Sequence, residues 1–111
     1  MLEAEKRFFC EILELQEGPR PGFGSFGYWL YAEDEALVHL SERGDSVEDD
    51  SQGYFDHVAF RSHGLPRLLA TLENRGIDFT MAYLEDRDTT QVFFRAPSNT
   101  RIEVNFVGEK V

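Results

Sequence analysis

Arg101-Ile102-Glu103-Val104-Asn105-Phe106 alternates polar and apolar side chains without a break. An extended strand turns successive side chains to opposite faces, so Ile102, Val104 and Phe106 face a core while Glu103 faces away from it. Asp56-His57-Val58-Ala59-Phe60-Arg61 and Ala36-Leu37-Val38-His39-Leu40-Ser41 read the same way, with His57 and His39 on the polar side. Two imidazoles and one carboxylate on rigid strands form a donor set that holds a divalent metal on one face and leaves other positions open. His39, His57 and Glu103 are therefore the candidate metal ligands, in a site of catalytic type.

Bulk properties narrow the function classes. A chain of 111 residues supports one ordinary domain with a single core. With 11 Lys and Arg against 21 Asp and Glu, the formal charge is -10, which repels a phosphate backbone and argues against a nucleic-acid partner. The single cysteine, Cys10, has no internal disulfide partner. No apolar run approaches the roughly 20 residues of a membrane span, and none has the shape of a signal peptide. The expected setting is soluble and cytoplasmic. Ten Phe, four Tyr and one Trp point to an aromatic core or a cleft lined with rings.

Outward from those strands, the pattern alternates between helix and strand. Leu2, Phe8, Phe9, Ile12 and Leu13 share a helical face, predicting an amphipathic helix over 2–13. Gly18-Pro19-Arg20-Pro21-Gly22 reads as a loop. Strands are predicted over 26–32 and 36–42, joined at Glu33-Asp34-Glu35, and the polar, acidic stretch 43–53 reads as a solvated linker. A strand near 55–61 precedes a helix that opens at Gly64, carries Pro66 in its first turn, aligns Leu65, Leu68, Leu69 and Leu72, and stops at Gly76. Strands near 77–84, 90–96 and 101–106 follow.

A weak internal repeat appears at an offset of 64 residues. It lays Trp29 on Phe93, Tyr31 on Arg95, Leu13 on Ile77, Leu15 on Phe79, Phe8 on Leu72 and, most tellingly, His39 on Glu103. Two halves of this kind, about 1–42 and 55–107, each a helix followed by three strands, would pack as a pseudo-symmetric pair around a shared cleft. The strand carrying His57 has no counterpart in the first half, because that position would precede Met1.

The ordered set Arg7-Phe8-Phe9-Cys10-Glu11-Ile12-Leu13-Glu14-Leu15, Tyr28-Trp29-Leu30-Tyr31, Val38-His39-Leu40, Asp56-His57-Val58-Ala59-Phe60, Asn74-Arg75-Gly76-Ile77, Ala96-Pro97-Ser98-Asn99 and Arg101-Ile102-Glu103-Val104-Asn105-Phe106 resembles the vicinal oxygen chelate superfamily. That group holds glyoxalase I, fosfomycin and bleomycin resistance proteins and extradiol dioxygenases. The resemblance covers nearly the whole chain. It implies an α+β fold of paired βαβββ modules forming a curved mixed-sheet cleft, with the first strand of module 1 missing. It also implies metal ligands on the first and last strands of each module, which here match His39, His57 and Glu103, the fourth lying on the missing strand. The family's valine-x-aspartate-leucine run before the first helix has no full match at Met1-Leu2-Glu3, so a late start or trimmed chain is expected, with natural deletion as the alternative. Dimerisation follows from the resemblance, and an exposed sheet edge adds a physical reason for it.

Plainer readings stand beside these. A lone strand histidine is more often hydrogen-bonded than metal-bound, and Glu103 alone could be a solvated carboxylate. Coincidence with the repeat and the family positions favours the joint metal site. His63 reads as a surface residue and Cys10 as inert packing. Strand parity puts Gln91, Phe93 and Arg95 on one face, with Trp29 and Tyr31 their counterparts. Trp29 and Phe93 would form an aromatic wall, while Arg61, Arg95, Tyr31 and Asn105 hold a polar or anionic substrate. Surface arginines that merely balance nearby acids are the alternative. Phe23 and Phe26 read as a lid or as a hydrophobic plug.

Two histidines and a carboxylate suit Fe(II), with Mn, Ni or Zn as other candidates, and leave sites for a bidentate oxygen substrate. The expected activity is a dioxygenase-like oxidoreductase acting on a small molecule with vicinal oxygens, followed closely by a glyoxalase-type lyase. No general base is evident. The competing classes are a metal-free antibiotic-binding protein of the same fold and an inactive paralogue.

Overall fold

The computed structural model describes residues 1–22, 26–42 and 57–110 and divides into two units, Met1–Asp50 and Ser51–Val111. The linker expected over 43–53 lies outside the described residues, as do Phe23, Phe55 and Asp56.

In the first unit, α1 (Leu2–Ile12) precedes β1 (Gln16–Gly18), β2 (Gly27–Ala32) and β3 (Glu35–Ser41), which form an antiparallel sheet in that order. Helix α1 follows from its apolar spacing, and its buried Phe8, Phe9 and Ile12 belong to a core with Leu15 and Leu30. Glu3 and Glu5 in its first turn complement the positive end of the helix dipole. The helix closes with Leu13 N–H donating to Phe9 O (3.1 Å) and Glu14 turning left-handed at φ 58°. Strand β2 begins at Gly27, a position that needs glycine because Leu40 O lies only 2.1 Å from where a Cβ would stand.

The second unit is a complete βαβββ module of β4 (His57–Ser62), α2 (Leu65–Asn74), β5 (Thr80–Leu84), a 3-10 turn (Glu85–Arg87), β6 (Thr89–Arg95) and β7 (Arg101–Val107). Its sheet runs β4-β7-β6-β5, with β4 parallel to β7 and the other pairs antiparallel. Leu65, Leu68 and Leu72 of α2 are buried, as are Val92, Phe94, Ile102, Val104 and Phe106 from one face of the sheet. Each such side chain contributes about 1.5–3 kcal/mol of transfer free energy. No side chain of α2 caps its own N-terminus. Glu109 does so from the far end of the chain, its carboxylate accepting from Gly64 N (2.9 Å) and Leu65 N (2.8 Å).

The 64-residue repeat is a register. Trp29 pairs with His39 and Phe93 with Glu103; Gly27 pairs with Ser41 and Gln91 with Asn105; Leu30 pairs with Val38 and Phe94 with Ile102. The correspondence breaks at Tyr31, where β2 carries a bulge and one extra residue shifts the ladder.

Several boundaries differ from the sequence expectation, most by a single residue. The strand predicted from 77 begins at Thr80, because Ile77 N–H still donates to Leu72 O (2.9 Å) and Gly76 adopts φ 67° to close the helix. Phe26 stays outside β2, its N–H donating to the Glu42 carboxylate at 2.9 Å. Strand β1 falls inside the stretch from which only a loop was read at Gly18. Among the described residues, no helix is long and apolar enough to cross a membrane.

Candidate metal and substrate site

Parallel pairing sets His57 beside Arg101 and Ala59 beside Glu103, so His57 and Glu103 are diagonal neighbours on one sheet face. His57 Nε2 lies 2.9 Å from Glu103 Oε1. Alternation places Glu103 opposite the core residues Ile102 and Val104, yet it is buried rather than solvated. Its second oxygen, Oε2, accepts from Asn105 Nδ2 (2.8 Å) and Gln91 Nε2 (3.2 Å). A buried carboxylate needs such partners, and here they also fix its orientation. Among the described residues, Asn105 Oδ1 is buried without a hydrogen-bond partner.

The remaining expected site residues fall in two groups. On the same face of the second unit, Arg61 pairs with Asn105 across β4 and β7, Phe93 faces Glu103, and Arg95 donates to Asn99 O (2.8 Å). In the first unit, His39 is exposed and stacks on Trp29 with centroids 3.9 Å apart and planes 9° apart. Its Nε2 stands 3.0 Å from Ala36 O. The Tyr31 hydroxyl donates to Pro19 O, and its ring passes so close to Gly18 that a Cβ there would lie 2.7 Å from it. The structure thus brings together His57, Glu103, Gln91 and Asn105, while His39, Trp29 and Tyr31 sit in the other unit. Among the described residues, no group of three or more His, Cys, Asp or Glu side chains is gathered to hold a metal. His63 is exposed, and burial pushes the Cys10 thiol above its ordinary value.

The sequence reading missed Arg101. Its guanidinium lies over the Phe93 ring, 4.5 Å from the centroid, and its alternation with Glu103 and Asn105 was the signal that could have found it.

No protein-family model matches the sequence, and no curated protein matches it. Solved structures do. An integron cassette protein from the mobile metagenome of the Halifax Harbour sewage outfall shares 20% identity over 96% of this chain and 90% of its own, with a TM-score of 0.71. A protein described as glyoxalase family, from Bacillus anthracis, shares 18% identity over 95% of this chain and 83% of its own, with a TM-score of 0.70. A mutant of the fosfomycin resistance protein FosX from Listeria monocytogenes, complexed with Mn(II) and 1S,2S-dihydroxypropylphosphonic acid, shares 15% identity over 96% of this chain and 84% of its own, with a TM-score of 0.71. The chain has the vicinal oxygen chelate fold.

Within the vicinal oxygen chelate fold, the donors present can be tested against a metal. Octahedral ions with bonds of about 2.1 Å set adjacent ligand atoms about 3 Å apart, whereas a tetrahedral ion spreads them to about 3.3 Å. The 2.9 Å between His57 Nε2 and Glu103 Oε1 suits two neighbouring octahedral ligands, and equally a hydrogen bond when no metal is bound. Amide donors on the non-ligating carboxylate oxygen are the kind of outer support that metal sites use. The pair fits a divalent ion.

Proposed function

We propose that this chain is a metal-dependent enzyme of the glyoxalase and dioxygenase kind, acting on a small molecule with vicinal oxygens. His57 and Glu103 are two of its metal ligands, and His39, in the first unit, is the further candidate. The observation that carries this reading is the His57–Glu103 pair, held in place by the Gln91 and Asn105 amides. An Nε2–H donated by His39 to the Ala36 carbonyl puts the ring's lone pair on Nδ1, the state that a ligand needs. A two-histidine, one-carboxylate donor set suits Fe(II), with Mn, Ni or Zn as other candidates.

A bound ion of this kind would supply Lewis acidity to adjacent oxygens of the substrate. The chain's own groups do the rest. Gln91 and Asn105 hold the Glu103 carboxylate with one oxygen toward His57. Phe93, directly across from Glu103, gives the substrate an apolar wall. Arg61 and Arg95 lie on the sheet face of the site and steer a polar or anionic molecule to it. The free side of β4, which pairs only with β7 among the described residues, supports assembly as a homodimer.

Metal analysis of protein purified without chelator tests the proposal. One equivalent of Fe, Mn or Ni that disappears in His57→Ala supports it. A protein that binds no divalent ion when these are added in excess contradicts it.

A further inference from the structure

Three arginines lie on the site face of the second unit, and their surroundings differ. Arg101 stands over the Phe93 ring, and Arg95 gives an Nη1 donor to Asn99 O at 2.8 Å. Arg61 is exposed on β4 and has no hydrogen-bond, ion-pair or ring partner among the described residues. In a chain with 21 acids against 11 Lys and Arg, an arginine without an acid beside it is unusual.

Strand register gives the reason. Arg61 pairs with Asn105 across β4 and β7, and Ala59 pairs with Glu103. Among the described residues that the four strands turn to this face, Glu103 is the one carboxylate. Both of its oxygens are engaged, Oε1 with His57 and Oε2 with the Asn105 and Gln91 amides. Asn105, the cross-strand neighbour of Arg61, is neutral and gives its Nδ2 donor to the same carboxylate. Arg61 therefore does not offset an acid of this face, the use to which surface arginines are commonly put.

An exposed guanidinium presents a planar fork of donors that matches a carboxylate with two parallel bonds. The way from Arg61 to the His57–Glu103 pair is low. Ala59, exposed and midway between His57 and Arg61 on this face of β4, raises only a methyl group. Because Ala59 stands beside Glu103, Arg61 lies two residues further along the strand, roughly 7 Å from the level of that carboxylate.

We infer that Arg61 receives the carboxylate of a small organic acid whose vicinal oxygens lie at His57 and Glu103, and so selects for charge at this site. The placing of the oxygens rests on the proposed metal reading; the acid contact does not. The substrate is compact, with its acid group about one benzene ring away from its adjacent oxygens.

Three probes separate the two halves of the statement: benzoate (acid only), catechol (vicinal oxygens only) and 3,4-dihydroxybenzoate (both). In the metal-free protein, benzoate is expected to shift the amide NMR signals of Ala59, Arg61 and Asn105, while uncharged benzamide leaves them in place. In the Mn(II)-loaded protein, 3,4-dihydroxybenzoate is expected to bind about tenfold more tightly than catechol. Arg61→Met removes that advantage and leaves catechol affinity unchanged. Arg87→Met, which takes the same charge from the 3-10 turn, keeps the advantage. Absence of benzoate shifts, equal shifts with benzamide, an advantage that survives Arg61→Met, or one lost equally in Arg87→Met overturns the role of Arg61. Benzoate binding at these residues without catechol binding supports that role and removes the metal reading instead.

Discussion

Glu103 receives three side chains at once, with His57 Nε2 at 2.9 Å on one carboxylate oxygen and the Asn105 and Gln91 amides at 2.8 and 3.2 Å on the other. The carboxylate is the hub of the polar face. Removing it strands two amide donors and an imidazole in a part-buried site, at about 1–3 kcal/mol. Glu103→Ala should therefore lower the unfolding free energy of the metal-free protein, read from urea titration, by that amount, and Glu103→Gln by less. Unchanged values in both would show that the network carries no stability.

Glu109 acts as a helix cap supplied from 45 residues away in sequence, through its bond to Gly64 N. Its carboxylate satisfies two of the free N–H groups that open α2. Losing a cap costs about 1 kcal/mol. Glu109→Ala is expected to reduce stability by this much and to speed hydrogen exchange at the start of α2; protection equal to that of the parent protein would contradict it.

Gly27 and Gly22 make a paired test of close packing. A Cβ at Gly27 would stand 2.1 Å from Leu40 O, whereas at Gly22 nothing among the described residues lies within 4 Å. Gly27→Ala should destabilise by about 3 kcal/mol, through displacement of β2 from β3, and Gly22→Ala by no more than about 0.5 kcal/mol. Similar unfolding midpoints for the two variants would refute the close approach.

Cys10 provides a test in pH. Burial raises its thiol above the ordinary value, so the folded state keeps the proton more tightly than the unfolded chain. The associated stability is present below the unfolded value and is lost as pH rises through the folded one. Since only the thiolate is alkylated, iodoacetamide should modify the folded protein more slowly than the urea-unfolded chain at mildly alkaline pH. Equal rates would place the thiol in water.

Trp29, the only tryptophan, stacks on His39 at 3.9 Å and so reports on it. A paramagnetic ion taken by His39 would quench its fluorescence at close range. Mn(II) should dim Trp29 in the parent protein and leave it bright in His39→Ala. Mn(II) binding with no quenching would remove His39 from the ligand set.

How far the fold was legible depended on repetition and on length. The 64-residue offset, visible through Trp29, Phe93, His39 and Glu103, proved to be the ladder register itself, because both hairpins set the same partners opposite one another. Gly76 ended α2 as its position implied, by turning left-handed. Strand β1 escaped because three residues carry too little alternation to register as a strand. Ile77-Asp78-Phe79 alternates apolar and polar side chains enough to imitate a strand, whereas Ile77 N–H is held by a backbone bond that closes α2. At the site, parity gave the shared face of Gln91, Phe93 and Arg95 directly. The burial of Glu103 was not legible, because the amides that make it tolerable arrive from β6 and from two residues further along β7. Arg101 read as one charge among many until its place over the Phe93 ring and opposite Arg95 across the strands set it apart.

The central claim is that His57 and Glu103 together hold a divalent ion. Mn(II) titration followed by electron paramagnetic resonance measures this most directly, since bound ion loses the six-line signal of free Mn(II). One bound equivalent in the parent protein, lost in both His57→Ala and Glu103→Gln, is the result predicted here. Undiminished binding in the two variants, or no binding in the parent, would contradict it.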